Sequence, residues 1–227
     1  MTEEQWAVSA DPAKVLEWLH KRASTRKARL YAVACFAHTW DLWRNSPDWK
    51  TIPTLERLAD GKAIEADRKT PEASLIAPVD SLEDLLSTEC ILHIPDSILD
   101  SDFTCREAYC CVNQIVAEAK NAPTSYEGCE KDLRRELSEL LRCIFGNPFR
   151  AVSFDARWRT LDVMGLAHAI YEDKVFDRMP ILADSLMDAD CEDKKIIAHC
   201  KDGLPHAKRC WVVDLILGKE MLARSGE

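Results

Sequence analysis

Residues 30–43 carry apolar side chains on nearly every side of a helical wheel, interrupted mainly by His38, Thr39 and Asp41. A helix that is greasy all round has no face to give to water and belongs at the centre of a bundle. The rest of the chain must then supply helices to cover it, and the patterning does so. Leu133, Leu137, Leu140, Leu141 and Ile144 recur at i, i+4, i+7, i+8 and i+11, the cleanest amphipathic stripe in the sequence. Ala108, Cys111, Val112, Ile115 and Ala119 recur at helical spacing behind Thr104 and Glu107, which form a capping box.

No stretch alternates with period two for long enough to make a strand, and seven glycines are too few for a hairpin-rich chain. The expected fold is all-α, an irregular multi-helix bundle of about eight to ten helices forming a single domain over residues 1–227. Asp11 with Pro12, Ser24 or Thr25, Thr160, Met179 with Pro180, Asp190 and Pro205 read as helix starts. Pro47 and Pro53 bracket a break before a short helix over 54–60 closed by Gly61, and Thr124 with Glu127 repeats the capping device. The charged segment 65–78, ending in Pro71 and Pro78, is a possible internal linker.

Thirty Lys and Arg against 39 Asp and Glu leave a net charge of −9, which disfavours general binding to phosphate backbones. No apolar run reaches the ~18–20 residues of a membrane span, and the first six residues are acidic where a signal peptide would be basic. A cytoplasmic protein with no membrane partner is expected. Ten cysteines would suit a secreted disulfide scaffold, but a reducing compartment leaves them as packing residues, metal ligands or a catalytic thiol. There is no C-x-x-C, and the adjacent Cys110 and Cys111 point about 100° apart on a helix, so they make a poor joint site.

His199, Cys200, His206 and Cys210 fall within twelve positions. Read on one helix, His206 and Cys210 at i and i+4 would meet on a common tetrahedral ion, with Cys200 reaching in and His199 or Cys191 as fourth ligand. Asp214 extends that stripe, but the spacing matches no common zinc pattern, so Cys210, Val213 and Leu217 read instead as the packed face of a core helix, and neither metal nor cofactor is expected. His168 shares a wheel face with Leu161, Met164 and Tyr171 and reads as a core histidine; the alternative is a general base held by Glu172. Asp184, Asp188, Asp190, Glu192 and Asp193 read as a solvated helix junction rather than a cation site. Nucleotide-binding loops and hydrolase elbows are absent from the sequence.

Two basic segments remain. Lys21, Arg22, Arg26, Lys27 and Arg29 gather five positive charges in nine residues, a solvated turn or a contact for phosphate or an acidic partner. Arg150, Arg157 and Arg159 interleave with Phe149, Phe154 and Trp158, a combination suited to a protein-binding loop or to clamping the loop on the bundle.

The strings I-F-G-N-P-F-R at 144–150, F-D-R-M-P-I-L-A-D-S-L at 176–186 and C-W-V-V-D-L-I-L-G-K at 210–219 resemble an uncharacterised family abundant in planctomycete bacteria. Its members also open with a pattern similar to Met1, Thr2, Glu3 and Trp6, then Asp11 and Pro12, then Arg26, Lys27, Arg29 and Leu30, ending in Cys35 and Trp40. The resemblance spans 1–43 and 140–219 and leaves 44–139 unmatched. It implies a bacterial lineage and a helical unit but no reaction. Where the family is richer in cysteine beside Cys35 this chain has Phe36, which speaks against a metal site on the N-terminal helices. The expectation is a non-catalytic helical protein-interaction module, an adaptor or regulatory subunit of a bacterial system whose partner is another protein. The competing classes are an enzyme using His168 or Cys210 and an accessory module contacting nucleic acid through 21–29.

Overall fold

A computed structural model describes residues 1–20, 22–39, 51–59, 104–119, 130–150 and 152–219. The described residues form ten α-helices and two 3-10 turns without a strand, so the protein is all-α. The helices are α1 (Glu3–Val8), α2 (Pro12–Leu19), α3 (Thr25–His38), α4 (Thr51–Ala59), α5 (Cys105–Ala119), α6 (Glu130–Phe145), α7 (Leu161–Asp173), α8 (Met179–Asp188), α9 (Lys194–Lys201) and α10 (Trp211–Ile216). Contacts gather the chain into two compact units, one within Met1–Ser138 and one over Glu139–Ala223, and the division falls inside α6. The segment 65–78, the capping pair at 124 and 127, and residues 40–50 lie outside the described residues.

The first unit follows its caps closely. Asp11 accepts from the Ala13 amide at 3.2 Å, with Pro12 in the first turn where its missing N–H costs nothing. Ser24 accepts from the Lys27 amide at 3.3 Å and opens α3. Along α3, Leu30, Tyr31, Ala32, Val33, Cys35 and Phe36 are all buried, as a helix apolar on every side requires. α5 packs on both α2 and α3, and α4 packs on α3. Tyr31 donates its hydroxyl to the Leu137 carbonyl at 3.0 Å, and His38 meets Glu136 at 3.0 Å.

Two boundaries differ from the sequence reading for local reasons. Pro53 is not a break, because it sits in the first turn of α4, where no intrahelical N–H bond is lost. The extra helix α1 arises from a reciprocal capping box: Gln5 donates its amide to Thr2 Oγ1 at 3.2 Å, and the Thr2 amide donates to Gln5 Oε1 at 2.9 Å. That short helix buries Trp6 beside Trp18, ring centroids 6.0 Å apart.

In the second unit α8 packs on α7 and α9, and α10 packs on α7 and α9, around a core that includes Val163, Ile170, Leu182, Leu186, Ile196 and Val213. Asp190 is not the cap of α9. It closes α8 in the left-handed conformation (φ 60°) while the Cys191 amide donates to the Leu186 carbonyl at 2.9 Å. The cap is Asp193, which accepts from the amides of Lys195 and Ile196. Pro205 opens no helix either: 203–210 is irregular, with Gly203 at φ 69° and Arg209 at φ 81°, and α10 begins only at Trp211.

Gly146 ends α6 at φ 68°, and a Cβ there would lie 3.1 Å from Trp211 Cγ. Both the backbone and the indole require glycine, so Gly146→Ala is expected to lower stability by about 1–3 kcal/mol in urea unfolding. An unchanged midpoint would show that Trp211 does not hold its place over this turn.

Candidate functional site

The residues gathered most closely are Cys143, His199, His206 and Cys210, one prospective ligand atom from each lying within 4.8 Å of the others. They come from three segments of the second unit. Cys143 is in the last turn of α6, and His199 is on α9. His206 lies in the irregular segment, and Cys210 is the residue just before α10. The i, i+4 helix read from sequence is therefore not what joins His206 to Cys210; the turns at Gly203 and Arg209 do that.

His199 Nε2 lies 3.1 Å from Cys210 Sγ, and His206 Nδ1 lies 3.6 Å from Cys143 Sγ. The imidazoles meet edge to face with centroids 5.0 Å apart. Each turns its other nitrogen to one carboxylate: His199 Nδ1 is 3.5 Å from Asp202 Oδ2, and His206 Nε2 is 3.9 Å from Asp202 Oδ1. The Leu204 amide donates to Asp202 at 3.0 Å and fixes that carboxylate. Trp211 lies 5.3 Å from the His199 ring, and Phe176 stacks on the His206 ring at 6.4 Å.

The two sulfurs are shut off from water and the imidazoles nearly so. Cys210 is 0% exposed and Cys143 2%, while the side chains of His199 and His206 retain 14% and 6%. Burial by itself would push the Cys210 thiol up, but the Cys143 thiol and the His199 and His206 rings turned toward it hold it well below its ordinary value. Cys143 is raised, first because it donates to Cys210 and then by its burial. Burial would lower His199, yet the Cys210 sulfur and Asp202 outweigh it and raise the imidazole to about 10. Cys210 and His199 thus each favour the charged form of the other.

Cys200 and Cys191 are buried but stand outside this group; desolvation raises both thiols, and they pack in the core of the unit. Cys143 was not legible in the sequence. It stands 63 positions from His206 and prolongs the apolar stripe of α6, so nothing local marks it as a ligand. In the first unit Cys35, Cys105 and Cys111 are buried and raised by desolvation, the last two to about 12, as packing thiols are. Cys110 is exposed beside buried Cys111, as neighbours on a helix should be.

His168 is exposed on α7 rather than in the core, and Leu161, read as its apolar neighbour, is 92% exposed. The buried face of α7 runs through Val163, Ala167, Ile170 and Tyr171. Of the five acids at the α8–α9 junction, Asp190 and Asp193 shape helix ends and Asp184 pairs with Lys201 at 2.8 Å.

The 21–29 segment is not one solvated patch. Lys27 is fully buried, Arg26 and Arg29 are half-buried, Arg22 stacks on Trp18 at 4.5 Å, and Lys21 lies outside the described residues. Along 149–159 the residues divide their work. Phe154 and Trp158 meet edge to face at 5.2 Å and pack against the core. Arg159 donates to the carbonyls of Ile216 and Leu215 at 2.8 and 3.2 Å and closes the C-terminal end of α10. Arg150 and Arg157 are exposed, Arg157 in a fork on Asp155 at 2.6 and 3.0 Å.

Comparison with protein-family models, with curated proteins and with solved structures finds no match to this chain. Among the described residues no helix is long and apolar enough to cross a membrane.

Proposed function

We propose that the chain is a non-catalytic helical protein-interaction module, an adaptor or regulatory subunit in the bacterial lineage that its sequence strings resemble. The observation that carries this reading is the enclosure of Cys210 and its neighbours in packed core. A cysteine nucleophile must meet its substrate, and a sulfur with no exposed surface cannot do so without unfolding its surroundings. His168 is exposed on α7 and is not one of the four clustered side chains. Burial of Lys27 likewise weakens the case for a phosphate-binding patch over 21–29.

Phe149, Arg150 and Arg157 are exposed members of the aromatic and basic segment, the part of it that a partner would meet. Phe154, Trp158 and Arg159 act by holding that segment in place. The test is affinity capture of the chain at native abundance, followed by titration of the purified partner. A stoichiometric protein is expected, with Arg150→Glu and Arg157→Glu together weakening it tenfold or more, about 1.4 kcal/mol. Turnover of a metabolite by the purified chain, with no stoichiometric partner, would overturn the reading.

A further inference from the structure

We propose that Cys143, His199, His206 and Cys210 form a closed tetrahedral zinc site, with Asp202 holding both histidines by their outward nitrogens. The proposal goes beyond an interaction role and does not depend on it.

Donor chemistry and spacing both point to zinc. Two sulfurs with two imidazole nitrogens in a tetrahedral arrangement are a donor set that zinc favours. With Zn–S near 2.3 Å and Zn–N near 2.0–2.1 Å, the edges of such a tetrahedron are about 3.3–3.8 Å. The separations of 3.1 Å between His199 and Cys210 and 3.6 Å between His206 and Cys143 approach those edges, and all four atoms lie within 4.8 Å. An ion would part His199 and Cys210 slightly and draw the wider pairs in.

Each imidazole also presents the correct atom. Metal-bound histidines commonly give their second nitrogen to a carboxylate or carbonyl, which fixes ring and tautomer. Here His199 offers Nε2 inward and Nδ1 to Asp202 Oδ2, whereas His206 offers Nδ1 inward and Nε2 to Asp202 Oδ1. Two rings bound through different nitrogens and backed by the two oxygens of one carboxylate are not what apolar packing alone would select. Packing explains a buried cysteine, but it leaves two half-buried histidines facing two buried sulfurs without a reason. Two thiolates would neutralise the dication, and the protons that the ligands carry would leave to solvent as the ion enters.

Four protein ligands leave no open position for water, so the ion would be structural. It would tie the end of α6, the last turn of α9 and the approach to α10 to one point. The segment 203–210, which forms no helix and is held by a turn bond from the Cys210 amide to the Ala207 carbonyl, is the part most in need of such a tie.

The test uses the full chain. Elemental analysis of protein purified without added metal is expected to find one equivalent of zinc. Chelated protein reloaded with cobalt(II) should show the strong visible bands of a tetrahedral ion and a near-ultraviolet thiolate-to-cobalt band. Cys200→Ser should retain both signals, whereas Cys143→Ser should lose about half of the thiolate band or release the metal. Asp202→Asn, whose ligands are intact, should bind zinc 10–100-fold more weakly in a competition titration. Absence of stoichiometric zinc together with no tetrahedral cobalt spectrum from the wild-type chain would overturn the proposal, as would loss of the site in Cys200→Ser with retention in Cys143→Ser.

Discussion

Removing zinc from the full chain with a strong chelator is expected to lower the thermal midpoint of the second unit by about 15–30 °C. The size follows from linkage. A ligand present at about a thousand times its dissociation constant stabilises the folded form by about 4 kcal/mol, and for a unit of this size each kcal/mol moves the midpoint by about 4–8 °C. The loss should be local before it is global. The ligands lie at 143, 199, 206 and 210, so hydrogen exchange should quicken first in 199–217 while α7 and α8, with their own buried faces, stay protected. Restoring zinc should restore the midpoint, and magnesium should not, since sulfur and imidazole donors do not suit it. A chelated chain with an unchanged midpoint and unchanged exchange would contradict a stabilising metal.

The second large effect concerns Arg209 and Asp214, which are 2% and 0% exposed and lie 3.8 Å apart. The Arg209 guanidinium also lies 4.0 Å over the Tyr171 ring, which brings α7 into the same arrangement. Truncating one member of a buried pair removes the opposite charge facing the other, so Asp214→Ala is expected to cost about 3–5 kcal/mol in denaturant unfolding. Replacing both, as Arg209→Met with Asp214→Leu, should recover a large part of that loss because no charge is left stranded. Strict additivity of the two single effects would show that the pair does not act as a unit.

Much of the helical architecture was legible because it rests on local signals. Asp11, Ser24, Thr104 and Thr160 each stand at the start of the helix they were read to open, and Gly146 ends α6 as its sequence suggested. The misplaced boundaries arose where two residues competed for one role. Asp190 and Asp193 can both cap a helix, and the left-handed closure of α8 takes the first and leaves the second to α9. Pro205 has the right form for a first helical turn, yet Arg209 with positive φ intervenes before α10. The thirteen-residue helix α7 shows a third limit. A wheel places His168 with Tyr171, but the buried stripe runs through Ala167 and Ile170, and the edge of a face cannot be told from its centre by spacing alone.

The candidate site was legible only in part. His199, His206 and Cys210 lie close in sequence and drew attention together, but the helix imagined for them pointed to Cys200 as their companion. Cys200 faces the core from α9, and the fourth position is filled instead by Cys143 from a distant helix. Only tertiary packing of α6 beside the 203–210 segment makes that pairing, and it leaves no mark in local spacing. Asp202 was equally hidden, since one carboxylate between two imidazoles reads in sequence as an ordinary acid at a helix end.

If Cys143, His199, His206 and Cys210 close on zinc, they serve structure rather than chemistry. Zinc K-edge X-ray absorption on the full chain as purified tests it most directly, because it counts ligands by element and distance. The account predicts four-coordinate zinc with two sulfurs near 2.3 Å and two imidazole nitrogens near 2.0–2.1 Å, and no exchangeable oxygen. Zinc held with a water or carboxylate oxygen in place of one of these donors, or no bound zinc at all, would contradict it.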